Sequence, residues 1–205
     1  MSNIAIFASG SGTNAEQIIR FFSDDTSHAV KIVLSNRTDA YVLDRARILS
    51  VPTMVFDRNT FYNSHHVLDL LINLEIDLIV LAGFLWLVPD YLLITFPQRI
   101  VNIHPALLPD FGGKGMYGMR VHEAVIQDDR KKSGITIHLI DEEYDRGKIL
   151  FQAECPVLPH DTPEDLAHRI HQLEHKYYPE IIRNYLEKLA PLAYNAQIQP
   201  DKPLQ

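Results

Sequence analysis

Short apolar segments alternate with amphipathic ones along the first hundred residues, and this alternation constrains the fold most. The amphipathic segments repeat apolar residues at helical spacing, as Ala15, Ile18, Ile19 and Phe22 do. Four apolar segments are predicted strands, each followed by a helix: Asn3–Ala8, Val30–Ser35, Pro52–Phe56 and Leu78–Leu81. The last of these has no polar residue, which is typical of a parallel strand covered on both faces. The pattern predicts an α/β fold with a doubly wound, mostly parallel sheet and helices on both faces.

The second half of the chain continues the pattern less regularly. Further strands are predicted at Ile100–Ile103, Ser133–Ile140 and Ile149–Val157, and one pair is expected to be antiparallel. Further helices are predicted at Ala40–Leu49, Phe61–Leu74, between Pro89 and Pro97, at Met119–Gln127 and from Thr162 to about Leu189. The last begins with a capping Thr162 and with Pro163 at its first position. We expect one domain, residues 1–189, and a C-terminal tail, residues 190–205.

Charge and cysteine content narrow the classes of partner. The chain has 19 Lys and Arg against 26 Asp and Glu, whereas binding to a nucleic-acid backbone needs clustered basic residues. The single cysteine, Cys155, cannot form an intrachain disulfide and is predicted to be a small buried residue. The longest apolar stretch, Leu78–Val88, is too short to span a membrane, and the N-terminus lacks a signal-peptide pattern. We therefore expect a soluble cytoplasmic protein that binds neither nucleic acid nor membrane.

The first candidate site is the segment Ser9–Asn14, which reads Ser-Gly-Ser-Gly-Thr-Asn between the first strand and its helix. Glycines let the backbone approach an anion, and the N–H groups at a helix start bind it. No Lys follows as in a Walker motif, and the dinucleotide fingerprint lacks its third glycine and its acidic residue. The segment favours a monophosphate over NAD, although a plain strand-to-helix turn has a similar composition.

The second candidate site is Asn102-Ile103-His104-Pro105, at the end of the fifth predicted strand. Asn102 and His104 alternate, so their side chains leave the same face of the strand, at the edge where open α/β sheets bind ligands. An amide beside an imidazole suits a developing oxyanion. A hydrogen-bonded polar pair that closes the strand is the alternative.

Three further features each have a functional and a structural interpretation. The loop Asp141–Gly147 holds four carboxylates, of which one is placed for chemistry or all belong to a solvated hairpin. The apolar segment Gly83–Leu87 lines a pocket for a flat ring or belongs to the core. His168, His171 and His175 have helical spacing, but no pattern completes a zinc site, so no metal is expected.

Taken together, these segments resemble the phosphoribosylglycinamide formyltransferase family. The resemblance covers about Asn3 to Leu189 and rests on Ser-Gly-Ser-Gly-Thr-Asn, Ala-Gly-Phe, Asn-Ile-His-Pro-x-Leu-Leu-Pro and Tyr-Asp-Arg-Gly. It implies a Rossmann-like formyltransferase fold, 10-formyltetrahydrofolate as co-substrate and glycinamide ribonucleotide as the acceptor, in de novo purine biosynthesis. It also implies a monomer or homodimer and no metal.

The resemblance implies roles for individual residues. The catalytic residues are Asn102, His104 and Asp145. The substrate phosphate is held by Gly10, Ser11, Gly12, Thr13 and Asn14. The rest of the acceptor contacts Glu174 and Pro105. The folate contacts Phe84, Leu85, Trp86, Leu87, Asn102, Ile140, Asp141, Asp145 and Arg58. Trp86 and the glycine-rich stretch at residues 110–118 depart from the family pattern.

The implied mechanism is direct transfer through a tetrahedral intermediate. Asn102 and a protonated His104 stabilise the oxyanion, and the charge of Asp145 is expected to raise the pKa of His104. Members of the superfamily that act on initiator tRNA or hydrolyse the folate carry an additional domain, and neither is expected here. The open alternatives are a nucleotide-sugar N-formyltransferase, a non-catalytic sensor of a phosphorylated ligand and, more weakly, a dehydrogenase.

Overall fold

The computed structural model describes residues 1–141, 145–190 and 192 of the 205-residue chain. Its centre is a sheet of seven strands: β1 (Ser2–Phe7), β2 (His28–Ser35), β3 (Thr53–Val55), β4 (Ile76–Leu81), β5 (Ile100–His104), β6 (Lys132–Leu139) and β7 (Ile149–Pro156). Their order across the sheet is β3-β2-β1-β4-β5-β6-β7. The predicted α/β fold with a mostly parallel sheet is confirmed.

Strand β6 is the point at which the sheet changes direction. The pairs from β3 to β5 are all parallel. Strand β6 runs antiparallel to both β5 and β7. The sheet therefore has two antiparallel pairs, where the sequence indicated one, because a single reversed strand between two neighbours creates two reversed pairings.

Helices cover both faces of the sheet, in chain order α1 (Thr13–Phe21), α2 (Val42–Ile48), α3 (Arg58–Asn63), α4 (His66–Asn73), α5 (Asp90–Thr95), α6 (Met119–Gln127) and α7 (Pro163–Leu186). Residues of β1 alternate between the two cores. Ile4 and Ile6 pack in the core that contains α1, α2, α6 and α7, whereas Ala5 and Phe7 pack in the core that contains α3, α4 and α5. Burial on both sides explains why the central strands are apolar throughout.

The single helix predicted at Phe61–Leu74 is wrong, because the segment forms two helices, α3 and α4. The Asp57 side chain accepts a hydrogen bond from the N–H of Thr60 at 2.7 Å and starts α3 early. Ser64 is extended, with φ −142° and ψ 165°, and its hydroxyl donates to the Thr60 carbonyl at 2.8 Å. Such side-chain bonds compete with the helical backbone pattern, and helical periodicity alone did not reveal the break.

Helix α7 is joined to the middle of the sheet by one buried hydroxyl. The helix begins with the predicted cap, in which Thr162 and Asp165 form a reciprocal capping box. Farther along it, the hydroxyl of Tyr178 lies 3.0 Å from the carbonyl oxygen of Leu81 and 3.1 Å from that of Val101. These carbonyls belong to the last residue of β4 and the second residue of β5, and the one hydroxyl proton shared between them holds α7 against both strands.

Cys155 is a buried free thiol, as predicted. Within the described residues, no helix has the length and apolar character required to cross a membrane. The predicted tail, residues 190–205, lies outside the described residues except for Ala190 and Leu192, and the domain boundary at residue 189 stays a prediction.

Candidate active site

The carboxyl ends of the parallel strands border a cavity of about 700 Å³. This is the edge at which open α/β sheets bind ligands. Most of the predicted site residues line the cavity, namely Gly10, Ser11, Gly12, Thr13, Asn14, Phe84, Leu85, Trp86, Leu87, Asn102, His104, Pro105, Ile140, Asp145 and Glu174. Arg58 and Asp141 are not among the lining residues. Residues 142–144 of the acidic loop lie outside the described residues.

The loop Ser9–Asn14 is shaped around Gly12, which precedes α1. Gly12 has φ +75°, and a Cβ atom there would lie 2.4 Å from Cγ2 of Val42. A glycine is therefore required for both conformation and space. The N-cap residue of α1 is Gly12 itself, so the cap supplies no side chain to the N–H groups of the first turn. The N–H groups and the helix dipole at this end can therefore attract an anion in the cavity.

Asn102, His104 and Asp145 come together although 41 residues separate the last two. Asn102 and His104 lie on β5 with Ile103 between them, so both side chains leave the same face. Asp145 lies in the loop between β6 and β7, and its Oδ2 is 3.6 Å from Nδ1 of His104. The amide, the imidazole and the carboxylate all line the same cavity.

A tight return of the chain after β6 brings Asp145 to this position. At Gly147 a Cβ atom would lie 1.8 Å from the Leu139 carbonyl oxygen, so only glycine permits the approach. Asp145 itself has φ +57°, a left-handed conformation that aspartate tolerates better than most residues. Its Oδ2 accepts a hydrogen bond from the N–H of Gly113 at 2.9 Å, which ties the glycine-rich stretch to the carboxylate.

The proton on His104 is assigned by its partner. Nε2 lies 2.8 Å from the carbonyl oxygen of Phe111, and since a carbonyl can only accept, Nε2 donates. In the neutral ring, the unprotonated nitrogen is therefore Nδ1, which faces Asp145. Burial lowers the pKa of His104, which is 3% exposed, and this outweighs the opposite effect of Asp145. Asp145 thus acts in the expected direction, but desolvation of the buried ring has the larger effect, and the net shift of the His104 pKa is downward.

Asp145 is ionised. Burial would raise the pKa of its carboxyl, but His138, His104 and the N–H of Gly113 together hold that pKa below the usual range. At neutral pH the site thus presents a carboxylate beside a neutral imidazole nitrogen. Both groups accept hydrogen bonds, so the space between them favours a donor.

His138 is a site residue that the sequence interpretation missed. It lies on β6 directly opposite Asn102, and the ring is fully buried. Its Nδ1 is 2.9 Å from the Leu139 carbonyl oxygen and therefore donates. Its Nε2 lies 3.3 Å from Nδ2 of Asn102 and 3.5 Å from Oδ1 of Asp145. Because the amide nitrogen of Asn102 can only donate, Nε2 of His138 accepts from it, and this contact orients the amide. The available signal was a histidine between the apolar residues Ile137 and Leu139 of a predicted strand.

Glu174 and Asn14 form a second polar group in the cavity wall. Nδ2 of Asn14 donates to Oε2 of Glu174 at 2.9 Å. Burial raises the pKa of Glu174 to about 7. The cavity is also lined by His122, whose pKa burial lowers to about 4, and by His171. Three cations in the wall were not singled out from the sequence: Arg37, Lys114 and Arg120.

The segment Gly83–Leu87 gives the cavity an apolar wall. Phe84 and Trp86 belong to an aromatic cluster, with ring centroids 6.4 Å apart, and pack against the core. Leu85 and Leu87 are 46% and 38% exposed. Arg58, outside the cavity lining, has its guanidinium 5.8 Å from the ring centroid of Trp86. The segment therefore presents exposed apolar side chains on a rigid aromatic base.

Histidines on α7 do not form a metal site with other residues. Across residues 1–141, 145–190 and 192, no group of three His, Cys, Asp or Glu side chains has the geometry to hold a metal ion. The rings of His171 and His175 are stacked, with centroids 6.2 Å apart.

Comparison with known proteins gives the family. The family model described as formyl transferase matches residues 2–182. The chloroplastic phosphoribosylglycinamide formyltransferase of Arabidopsis thaliana is 39% identical, over 97% of this chain and 72% of that protein. The Bacillus subtilis phosphoribosylglycinamide formyltransferase is 35% identical, over 91% and 95%. The crystal structure of the Bacillus halodurans phosphoribosylglycinamide formyltransferase superposes with a TM-score of 0.83 at 36% identity, over 94% and 100%. The chain therefore belongs to the formyl transferase family and, within it, to the phosphoribosylglycinamide formyltransferases.

Proposed function

We propose that the chain transfers the formyl group of 10-formyltetrahydrofolate to the primary amine of glycinamide ribonucleotide, a step of de novo purine biosynthesis. The names of its relatives, which are phosphoribosylglycinamide formyltransferases, support formyl transfer to this acceptor. The observation that carries the proposal is the convergence of Asn102, His104 and Asp145 on a cavity whose wall also includes the glycine loop. One part of the wall suits a phosphate and another suits acyl transfer.

Each substrate matches one part of the cavity wall. The phosphate of the ribonucleotide binds the N–H groups of Gly10–Asn14, and Glu174 and Pro105 contact the rest of the acceptor. The pterin ring of the folate packs on Phe84–Leu87 and against Ile140, which supply apolar contact area. Arg58 belongs to this proposal as a contact of the folate tail, and Asp141 as part of the loop beside the pterin; both are exposed and lie outside the cavity lining.

The amine approaches Nδ1 of His104 and Oδ2 of Asp145 from the cavity and donates to both. An α-amino group has a pKa near 8 and arrives mostly as an ammonium, which both acceptors attract. The neutral Nδ1 of His104 takes one proton. The freed lone pair then attacks the formyl carbon, a C–N bond forms, and the carbonyl electrons move to oxygen. Removal of the proton thus creates the nucleophile and charges His104 in the same step.

The oxyanion is stabilised by groups already in place. The Asn102 amide has two N–H bonds, and because one faces His138, the other is free for the oxyanion. His104, now charged and beside the Asp145 carboxylate, is a second donor. A second proton passes from the new C–N nitrogen through Asp145 to N10 of the folate, whose bond to carbon breaks. His104 then returns its proton to solvent.

The test is an assay of product formation with two acceptors. The purified chain is incubated with 10-formyltetrahydrofolate and either glycinamide ribonucleotide or an amino-sugar nucleotide, and the formylated product is identified by mass spectrometry. Formylation of glycinamide ribonucleotide alone is expected. Preference for the sugar nucleotide would point to the nucleotide-sugar branch, and binding without product would favour a sensor of phosphorylated ligands.

Location and assembly complete the proposal. We place the protein in the cytoplasm, as a monomer or homodimer without nucleic-acid or membrane partners. The acidic balance of 26 Asp and Glu against 19 Lys and Arg supports the absence of nucleic acid. The single buried thiol, Cys155, is compatible with a reducing compartment.

A further inference from the structure

Helix α2 holds two successive carbonyl groups of the glycine loop. The N–H of Val42 donates to the carbonyl oxygen of Gly10 at 3.1 Å. One turn later, Nε of Arg45 donates to the carbonyl oxygen of Ser11 at 2.9 Å. These are the two peptide groups that precede the first turn of α1, and both of their oxygens are directed at α2.

The direction of these carbonyls fixes the direction of two N–H groups. The peptide bonds of this loop are trans, and in a trans peptide the C=O and the following N–H point in opposite directions. Because the oxygens of Gly10 and Ser11 face α2, the N–H groups of Ser11 and Gly12 face away from it. No described residue accepts a hydrogen bond from either group, and both residues line the cavity.

The Arg45 side chain is itself locked in place. Its Nη1 donates to Oε2 of Glu16 on α1, and its guanidinium lies 4.9 Å from the ring centroid of Tyr41. Glu16 also accepts hydrogen bonds from Arg20 at 2.9 and 2.8 Å. The Arg45 side chain is 27% exposed and is not part of the cavity wall. Arg45 thus links the loop to the first turn of α1 without reaching the ligand space.

We propose that Arg45 is a positioning residue for phosphate binding: its bond to the Ser11 carbonyl aims the Gly12 N–H into the cavity. The inference rests on the proposed function, in which this loop holds the phosphate of the acceptor. A planar guanidinium is required because its nitrogen atoms must donate to the Ser11 carbonyl and to the Glu16 carboxylate at the same time. Removal of Arg45 frees the peptide to rotate and misdirects the donor.

The experiment compares Arg45→Met and Arg45→Lys with the wild-type chain, and uses Arg47→Met as the matched control. Arg47 lies on the same helix, but it pairs with the exposed Asp44 at 2.8 Å. For each protein, kcat and both KM values are measured, together with the Kd of inorganic phosphate by calorimetry. A hydrogen bond from a charged group is worth ~1.5–3 kcal/mol, so Arg45→Met is expected to raise the acceptor KM and the phosphate Kd about 10- to 100-fold.

In Arg45→Met, the folate KM and the kcat at saturating acceptor are expected to stay at wild-type values. In Arg47→Met, every measured constant is expected to stay at its wild-type value. Arg45→Lys keeps the charge but lacks the fork, so it is expected to resemble Arg45→Met. Wild-type behaviour of Arg45→Lys would mean that charge alone matters, and equal increases in both KM values would mean a global defect. Either result overturns the positioning role. If the wild-type chain does not formylate glycinamide ribonucleotide, the phosphate titration still decides the inference.

Discussion

Nδ1 of His104 and Oδ2 of Asp145 face each other at 3.6 Å, which is too long for a direct hydrogen bond. The carboxylate and the neutral imidazole nitrogen are both acceptors, so an amine that lies beside the pair in the cavity can donate to both. Asp145→Asn preserves shape but removes the acceptor charge, and His104→Ala removes the base. We expect each change to lower kcat by about 10²- to 10⁴-fold.

The measurement is single-turnover formyl transfer, with circular dichroism and thermal unfolding to show that the fold survives. Asp110→Asn is the matched control, since Asp110 is exposed and pairs with Arg130 at 3.2 Å. Near-normal turnover in either His104→Ala or Asp145→Asn would remove that residue from the mechanism.

The charge state of His104 sets the acid limit of activity. Burial lowers its pKa below the ordinary 6.5, and attack requires the neutral ring. As the pH falls through the lowered pKa, the base is lost, so kcat/KM should begin to fall only below pH 6.5. Asp145 acts to raise the same pKa, so Asp145→Asn should lower it further. An NMR titration of the His104 ring checks both values, and an acid limb above 6.5 in the wild-type chain would contradict the account.

Much of this site follows from local sequence, and the rest depends on strand pairing and burial. Alternation on β5 was sufficient to place Asn102 and His104 on one face, and the glycine loop was recognisable from its position after β1. His138 was missed because only the β5–β6 register places it opposite Asn102. The low pKa of His104 was missed for a related reason: burial of the ring arises from residues distant in sequence, whereas the opposing charge of Asp145 was easily anticipated.

A substitution at Gly12 tests the loop without removing any of its N–H donors. Gly12→Ala places a Cβ atom 2.4 Å from Cγ2 of Val42 and strains a residue with φ +75°. The N–H groups should then shift, so the acceptor KM rises while the folate KM stays constant. The new Cβ atom would also lie 2.5 Å from Cβ and 2.7 Å from Cα of Val42, and alanine keeps both atoms, so adding Val42→Ala should not recover the loss. Equal effects on both substrates would contradict phosphate binding by this loop.

Leu85 tests the apolar wall at low cost to stability. The side chain is 46% exposed and lines the cavity, so Leu85→Ala should weaken folate binding and leave the melting temperature nearly unchanged. Loss of about two or three buried methylene groups, at ~0.8 kcal/mol each, corresponds to roughly a 15- to 60-fold higher folate Kd. Ile94→Ala is the control, because Ile94 is 78% exposed and outside the lining. Fluorescence titration with the folate compares the two, and equal affinities would exclude Leu85 from the folate site.

Glu174 links the cavity to pH-dependent stability. Burial raises its pKa from 4.5 to about 7, so between these values the folded chain holds a proton that the unfolded chain has released. Stability therefore falls as the pH rises through this range, and the full penalty, roughly 3 kcal/mol at 1.36 kcal/mol per pKa unit, is present above pH 7.

Glu174→Gln cannot ionise and should be more stable than the wild-type chain at pH 8, with little difference at pH 4.5. Urea unfolding at both pH values measures the change, with Glu180→Gln, on the exposed face of α7, as the control. A stability difference that is the same at both pH values would mean that Glu174 is already ionised in the folded chain, held by Asn14 and by groups that solvate it.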